Sequence, residues 1–396
     1  MSLMKTENSN VRLVYILTFL SECYWPSVAA LFFYLRYFSF AEIATLWAIQ
    51  MAASNLLEVP TGAFADIVGR KTSVILSFVI GAISLLIFPF TTAFSVFVGL
   101  EILKGLANAL YSGSMEALVY DSLKESGEEK KYPKISANIE TVNWASWAIS
   151  SVGGGYLYYW QYQSPWLIQA VMFVVAAIIA LKLVEPKLDS VKVDIKAVLK
   201  QNLQGFRELF QNSRVGRITL QLAIIGAGYI IASNILGASQ AREYGMDARG
   251  TGWLFGIGCL FSVVAARFYP QLREWVGEKK LVAVTATIML ASFLIARYVG
   301  VGIGVGLILM RIASSSTFRN TRSVIVNEWI SSKNRATALS SLNLLTQTPY
   351  IFLSPLFGMM IDKSSPNQFA WMLGVGIMVA LVIIQFARAA SIRERI

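Results

Sequence analysis

Residues 62–71 read Gly62-Ala63-Phe64-Ala65-Asp66-Ile67-Val68-Gly69-Arg70-Lys71. The stretch closes one apolar run, 41–64, and leads into another, 72–92. Each run is long enough to cross the ~30 Å hydrocarbon core of a bilayer, which takes about 20 residues as a helix. Gly69 suits a tight turn. Arg70 and Lys71 place a positive pair beside the membrane. Asp66 is a carboxylate able to accept hydrogen bonds from a neighbouring helix N-terminus, and Gly62 has the size that lets two helices approach closely. A charged tight turn between two membrane-length runs predicts a helical hairpin in a bilayer.

The rest of the chain agrees. Its 396 residues are 56% hydrophobic and only 14% charged, with a mean hydropathy of +0.57. A soluble domain carries roughly 25% charged residues, so a soluble chain of this length would lack the polar surface to cover its cores. Apolar runs predict twelve spans: 11–35, 41–64, 72–92, 94–119, 135–159, 164–184, 214–239, 249–270, 281–298, 300–327, 336–361 and 368–390. Runs such as Val171–Leu183 do not alternate as barrel strands do, so the spans are helices and the fold class is all-α. The first run lacks a small-residue cleavage site and reads as a membrane helix rather than a removable signal peptide.

The net charge of +11 comes from 34 Lys and Arg against 23 Asp and Glu. Most of the basic residues fall in the N-terminal segment, the second-to-third, fourth-to-fifth, central, eighth-to-ninth and tenth-to-eleventh connections and the C-terminal tail. Only Arg36, Arg242, Arg249, Arg297 and Lys363 fall on the opposite side, while Lys104, Arg267, Arg311, Arg319 and Arg322 lie within spans. The positive-inside rule then predicts both termini in the cytoplasm of a multi-pass protein of the cell membrane. The charge thus reports topology, not a nucleic-acid partner. Cys23 and Cys259 sit far apart in apolar runs and suit neither a disulfide framework nor a metal site. With no histidine, proton-linked chemistry falls to carboxylates. No phosphate-binding loop, metal-ligand spacing or catalytic set is visible, so the expectation is no cofactor, no metal and no enzyme.

Glu185–Ser213 is the longest polar interruption and predicts three parts: an N-terminal six-helix bundle, 1–184, a cytoplasmic linker, 185–213, and a C-terminal six-helix bundle, 214–396. Val191, Ile195, Val198, Leu199, Leu203, Phe206 and Leu209 recur at helical spacing among lysines, as in an amphipathic helix on a membrane surface. A solvated linker is the other reading. The two halves echo one another. Thr45-Leu46-Trp47 is matched by Thr251-Gly252-Trp253, and Gly69-Arg70-Lys71 by Gly277-Glu278-Lys279. Lys104 and Asp121 are matched by Arg311 and Glu328, at an offset of 207. Parallel repeats of six helices follow.

Residues 62–71 resemble motif A of the major facilitator superfamily: a Gly, an Asp four on, then Gly-Arg-Lys. The twelve-span plan extends the resemblance over the whole chain, which is most similar to the bacterial proton-linked drug and metabolite branch. The resemblance implies a conformational gate in which Asp66 meets span eleven and Arg70 pairs with a carboxylate near the end of span four, where Glu116 and Asp121 stand. Gly62, Gly69 and Lys71 complete that gate. Ser150-Ser151-Val152-Gly153-Gly154-Gly155 resembles the family's antiporter motif, with Ser150 where a Pro is expected. The family cavity is lined mainly by spans one, four, seven and ten.

Ionisable groups at membrane depth are expensive and usually face water or each other. Glu22 is about midway through span one, and is either a proton carrier or substrate ligand, or packs against an Arg of another span. Glu101 and Lys104 are one helical turn apart, and form either a structural pair or part of the cavity. Arg311, near the middle of span ten, suits a carboxylate or phosphate. Arg319 and Arg322 read as partners of Glu328, Asp121 or lipid phosphate. Tyr24, Trp25, Gln50, Asn143, Trp144, Trp147, Asn234, Asn343, Gln347 and Tyr350 are further candidates for the substrate and proton site. These residues predict a transporter moving a small organic solute by alternating access, as a proton-coupled, multidrug-type antiporter working in efflux. Uptake symport, amphipathic-lipid flipping and a non-transporting receptor or scaffold are the alternatives. One chain holds both halves of the cavity, so a monomer in the lipid bilayer is expected, with protons and a small-molecule substrate as partners.

Overall fold

The computed structural model describes residues 9–186, 203–330 and 334–393, without the side chains of 336 and 386–393. The helices are α1 (Ser9–Glu22), α2 (Pro26–Tyr34), α3 (Phe40–Val68), α4 (Arg70–Ile87), α5 (Phe94–Glu125), α6 (Tyr132–Trp160), α7 (Ser164–Ala180), α8 (Ser213–Ile231), α9 (Gly237–Glu243), α10 (Ala248–Arg267), α11 (Tyr269–Val276), α12 (Glu278–Leu294), α13 (Val301–Trp329), α14 (Arg335–Lys363) and α15 (Pro366–Arg393). No strand occurs among the described residues. Among the described residues twelve spans result, because α1 with α2 and α8 with α9 are interrupted single crossings, and the short α11 follows α10.

Among the described residues nine spans are long and apolar enough by composition to cross a bilayer, and α7 is a shorter apolar helix. The two remaining helices, α3 and α6, are the polar ones. The first carries Glu42, Gln50, Asn55, Glu58 and Asp66, and the second Glu140 and Asn143. Large apolar side chains such as Ile83, Leu86, Ile178, Leu260, Ile303 and Ile383 are exposed. Outward-facing apolar helices of this kind are stable only when lipid is the solvent.

Helix starts follow local chemistry. Pro26, Pro133 and Pro165 occupy first-turn positions, where a missing N–H costs nothing. Asn212 caps α8, its Oδ1 accepting from the N–H of Arg214 at 3.1 Å and Val215 at 2.9 Å. Gly69 has φ of +97°, a turn that L side chains rarely adopt, and separates α3 from α4.

Packing divides the chain into two compact units. The first holds α1, α2, α4 to α7, α3 from Leu46 onward and the first residues of α10, Ala248–Gly256. One end of it is an aliphatic core including Val14, Leu17, Val74, Leu118 and Ala180. The other is aromatic: Phe33 lies 4.4 Å from Trp166 and Phe88 stacks on Trp166 at 5.5 Å. The second unit holds the start of α3, α8, α9, the rest of α10 and α11 to α15. At its centre the Tyr229 hydroxyl donates to the Thr285 carbonyl at 2.8 Å, and its ring meets Phe318. Val191, Ile195, Val198 and Leu199 of the expected amphipathic helix lie outside the described residues. Residues 203–208 are helical, with Leu203 and Phe206 exposed and Leu209 buried.

Gly153 and Gly154 of α6 let Trp25 approach closely within the first unit. A Cβ on Gly154 would stand 2.1 Å from the Trp25 carbonyl oxygen, and one on Gly153 2.2 Å from the Trp25 ring. Gly154→Val is therefore expected to destabilise the purified protein by about 1–3 kcal/mol or more, read as a lowered Tm in detergent. Gly99→Ala, where a Cβ meets nothing within 4 Å, should leave Tm unchanged or slightly raised. Equal melting of the two variants would refute the close approach.

Candidate functional site

The first span breaks at Cys23–Trp25, between α1 and α2. Pro26 at the head of α2 prevents a continuous ladder of helical hydrogen bonds. The fully buried Gln169 of α7 holds the break open: its Nε2 donates to the Leu20 carbonyl at 3.1 Å, and its Oε1 accepts from the Trp25 N–H at 3.2 Å. Interrupted spans satisfy their freed backbone groups through such neighbours. The Trp25 ring lies on Gly153, and its Nε1 points at Met172 Sδ, 2.9 Å away.

Glu22 is the last residue of α1, at the edge of this break. One of its oxygens accepts from Trp147 Nε1 at 2.9 Å, and it has no basic partner among the described residues. Trp144 meets Trp147 edge-on at 5.2 Å, and Asn143 Oδ1 is buried without a hydrogen-bond partner among the described residues. Glu22, Trp147, Trp144 and Asn143 thus stand on two adjoining helices.

The seventh span is interrupted at the matching place. Ala232–Leu236 forms a π-helical turn between α8 and α9, and Ala232 is the 207-offset counterpart of Trp25. Within it Asn234 Nδ2 donates to the Ile230 carbonyl at 2.8 Å. Interruptions at corresponding positions of two repeats are the strongest pointer to a transporter's binding region.

Lys104 and Arg311, the other repeat pair, are each spoken for within their own unit. Lys104 Nζ lies 3.0 Å from Glu101 Oε1, faces the Tyr24 hydroxyl and sits 5.3 Å from the centre of the Phe88 ring. The same Glu101 oxygen accepts from Tyr34, and Glu101 is wholly buried. Arg311, 2% exposed, donates to Gln240 Oε1 at 2.8 Å and Ser292 Oγ at 3.3 Å, over the Phe293 ring. Gln240 Nε2 in turn donates to Asn367 Oδ1. Both cations therefore sit over an aromatic ring and bind an acceptor within their own unit. Gln50 is partly buried on α3, Asn343 is exposed, Gln347 is partly buried and Tyr350 is buried, the last three on α14.

At residues 62–71, Arg70 pairs with Asp121, both partly buried. Glu116 instead accepts from the Tyr132 hydroxyl at 3.0 Å. That contact and burial, burial more, push the Tyr132 hydroxyl up to about 12. Gly62 departs from expectation: it is exposed and a Cβ there would meet nothing within 4 Å, so no close approach is made at it among the described residues. Asp66 has no hydrogen-bond partner among the described residues. The carboxylate that caps a helix here is Glu185, the first residue after span six, which sequence reasoning assigned to the linker. It accepts from the N–H of Arg70 and of Lys71, both at 2.7 Å, at the positive end of α4. Its Oε2 would lie 3.0 Å from a Cβ on Gly69, so the glycine gives the carboxylate its seat.

A family model described as Major Facilitator Superfamily matches residues 13–294. The chain belongs to the Major Facilitator Superfamily. As a member it is a multi-pass membrane protein of a transporter family. It is similar to an uncharacterized MFS-type transporter, YxaM, of Bacillus subtilis (strain 168), 23% identical over 275 residues. That match covers 66% of this chain and 66% of the relative, just under two thirds of the relative's length. Its fold is that of nucleoside transporter NupG (TM-score 0.80, 15% identity, 95% of this chain and 98% of that one). It is also that of a POT family transporter solved with 5-aminolevulinic acid (0.73, 13%, 97% and 96%). A bacterial homologue of the human lysosomal transporter Spinster, inward-facing and occupied, is similar too (0.71, 14%, 95% and 94%). At these identities the likeness is one of fold.

Removing the cap on α4 tests the motif A turn of this superfamily member. Glu185→Ala is expected to lower stability by about 0.5–2 kcal/mol, and Glu185→Gln, which keeps an acceptor, by less. Detergent melts of the three proteins provide the measurement, and an unchanged Tm for Glu185→Ala would show that the cap contributes nothing.

Proposed function

We propose that this transporter exports a small organic solute in exchange for protons, and that Glu22 carries the proton. The supporting observation is the position of Glu22: a partly buried carboxylate at a helix break, hydrogen-bonded to one indole N–H and without a cation beside it among the described residues. A carboxylate so placed exchanges a proton without dismantling an ion pair. Glu101, which binds both Lys104 and Tyr34, does not meet that condition. The absence of histidine leaves no alternative carrier of ordinary pKa near neutrality.

In this reading residues 1–184 and 214–396 are the two six-helix bundles, joined by the linker 185–213. The protein works as a monomer in the plasma membrane with both termini cytoplasmic, and alternates access between the two sides. Arg70 with Asp121, and Glu185 on α4, belong to the gate that one of the two states closes. A solute with a charged or zwitterionic head and an aromatic or apolar body suits Glu22 and the tryptophans beside it.

A thermal-shift screen of the purified protein against metabolites and drugs at two pH values selects the solute. In proteoliposomes its pH-gradient-driven movement is expected to be lost in Glu22→Gln, while solute counterflow persists. Undiminished gradient-driven transport by that variant refutes the coupling role. Accumulation in the same direction as the proton flux shows symport instead, flipping of a fluorescent lipid shows the lipid route, and binding without exchange shows a receptor.

A further inference from the structure

The second unit contains one arginine whose partners do not account for it. Arg322 of α13 donates through Nη2 to Asn343 Oδ1 of α14 at 2.7 Å. Its Nε is buried with no hydrogen-bond partner among the described residues. Nη1 lies 3.7 Å from where a Cβ on Gly226 of α8 would stand, so the guanidinium sits where three helices meet and a glycine leaves room. No carboxylate lies within 4 Å of it among the described residues. Both acidic residues expected for it are committed elsewhere: Glu328 binds Arg273 at 2.9 Å, and Asp121 binds Arg70. Arg319, one turn earlier on the same helix, adds positive charge to the same face.

An intramembrane guanidinium without an anion is costly, and a buried donor left unmade costs a further ~1–3 kcal/mol. Arg311 meets part of its donor requirement with two buried acceptors, Gln240 Oε1 and Ser292 Oγ. Arg322 is partly exposed, and Asn343, its one acceptor among the described residues, is exposed. The position 207 residues earlier is Met115, buried and apolar, so the first unit has no equivalent cation. Nε and Nη2 form the edge of a guanidinium that takes carboxylate or phosphate oxygens two at a time.

We propose that Arg322, assisted by Asn343, recognises the anionic group of the transported solute, and that the solute is an organic carboxylate or phosphate. The proposal rests on the transporter reading, and names the chemical class of its substrate. Lipid headgroups share this chemistry, and the test separates the two sources.

The full-length protein in neutral detergent is titrated with benzoate against benzamide and phenyl phosphate against phenol, following tryptophan fluorescence and Tm. At least one anion is expected to bind about tenfold or more tightly than its neutral analogue. Arg322→Gln should abolish that preference, and Arg322→Lys should keep part of it. Asn343→Asp is the decisive variant, because it places a carboxylate against Arg322 with almost no change of shape. It should raise Tm while abolishing the anion preference, an outcome that a purely structural Arg322 would not produce, and it covers the case in which Arg322→Gln fails to fold. The proposal is overturned if the wild type shows no anion preference, if the preference survives in Asn343→Asp, or if only added phosphatidylglycerol produces the response. These measurements use no gradient. Failure of coupling in the Glu22→Gln experiment therefore leaves them standing, and their failure leaves proton-driven transport standing.

Discussion

An ionised side chain inside a bilayer must find an opposite charge or a set of hydrogen bonds, because lipid offers neither. That constraint sorts the intramembrane charges of this protein into two kinds. Glu101, Lys104 and Tyr34 satisfy one another, and Arg311 is enclosed by Gln240, Ser292 and the Phe293 ring. These groups tie the fourth and tenth spans to their neighbours. Among the described residues Glu22 and Arg322 each have a single side-chain hydrogen-bond partner, an indole and an amide, and both are partly exposed, whereas Arg311 is buried with two acceptors. In the proposed mechanism a proton and a solute supply what these partners do not.

The same constraint explains the interruptions in the first and seventh spans. An unwound stretch in lipid is tolerable only if its backbone groups are met. Gln169 meets two of them in the first span with a single buried amide, donor on one side and acceptor on the other. In the seventh span the π-turn keeps the backbone within a helix, and the Asn234 side chain bonds the carbonyl of Ile230. The repeat therefore conserves the place of the defect while its chemistry differs between halves, as does the charge: Lys104 has a carboxylate one turn away, whereas Arg311 has Ile308 at the corresponding position.

The fold was legible because it depends on local and additive properties: run length, hydropathy and the Gly69-Arg70-Lys71 turn each act within a few residues. The pairing of Glu101 with Lys104 was legible for the same reason, since residues three apart share a helix face. Gln169, Glu185 and Gln240 were not. Each meets its partner across a long stretch of chain, and nothing in the run of sequence around it marks an amide or a carboxylate as a cap rather than a surface group. Glu185 looked like the first polar residue of a linker. Gly62 misled in the opposite sense: a small residue permits close approach without producing it. Arg322 was visible as a charge in a span, but its lack of a carboxylate is a property of three helices together.

In the proposed mechanism Glu22, a carboxylate held by one indole N–H, takes up protons, and Glu101, held by Lys104 and Tyr34, does not. A hydrophobic carbodiimide reacts with protonated carboxyl groups that it can reach, and the adducts are mapped by mass spectrometry on the intact protein in lipid nanodiscs. Glu22 is expected to be modified, with Glu101 spared because it is wholly buried and bound by Lys104 and Tyr34. Modification of Glu101 with Glu22 untouched would contradict it.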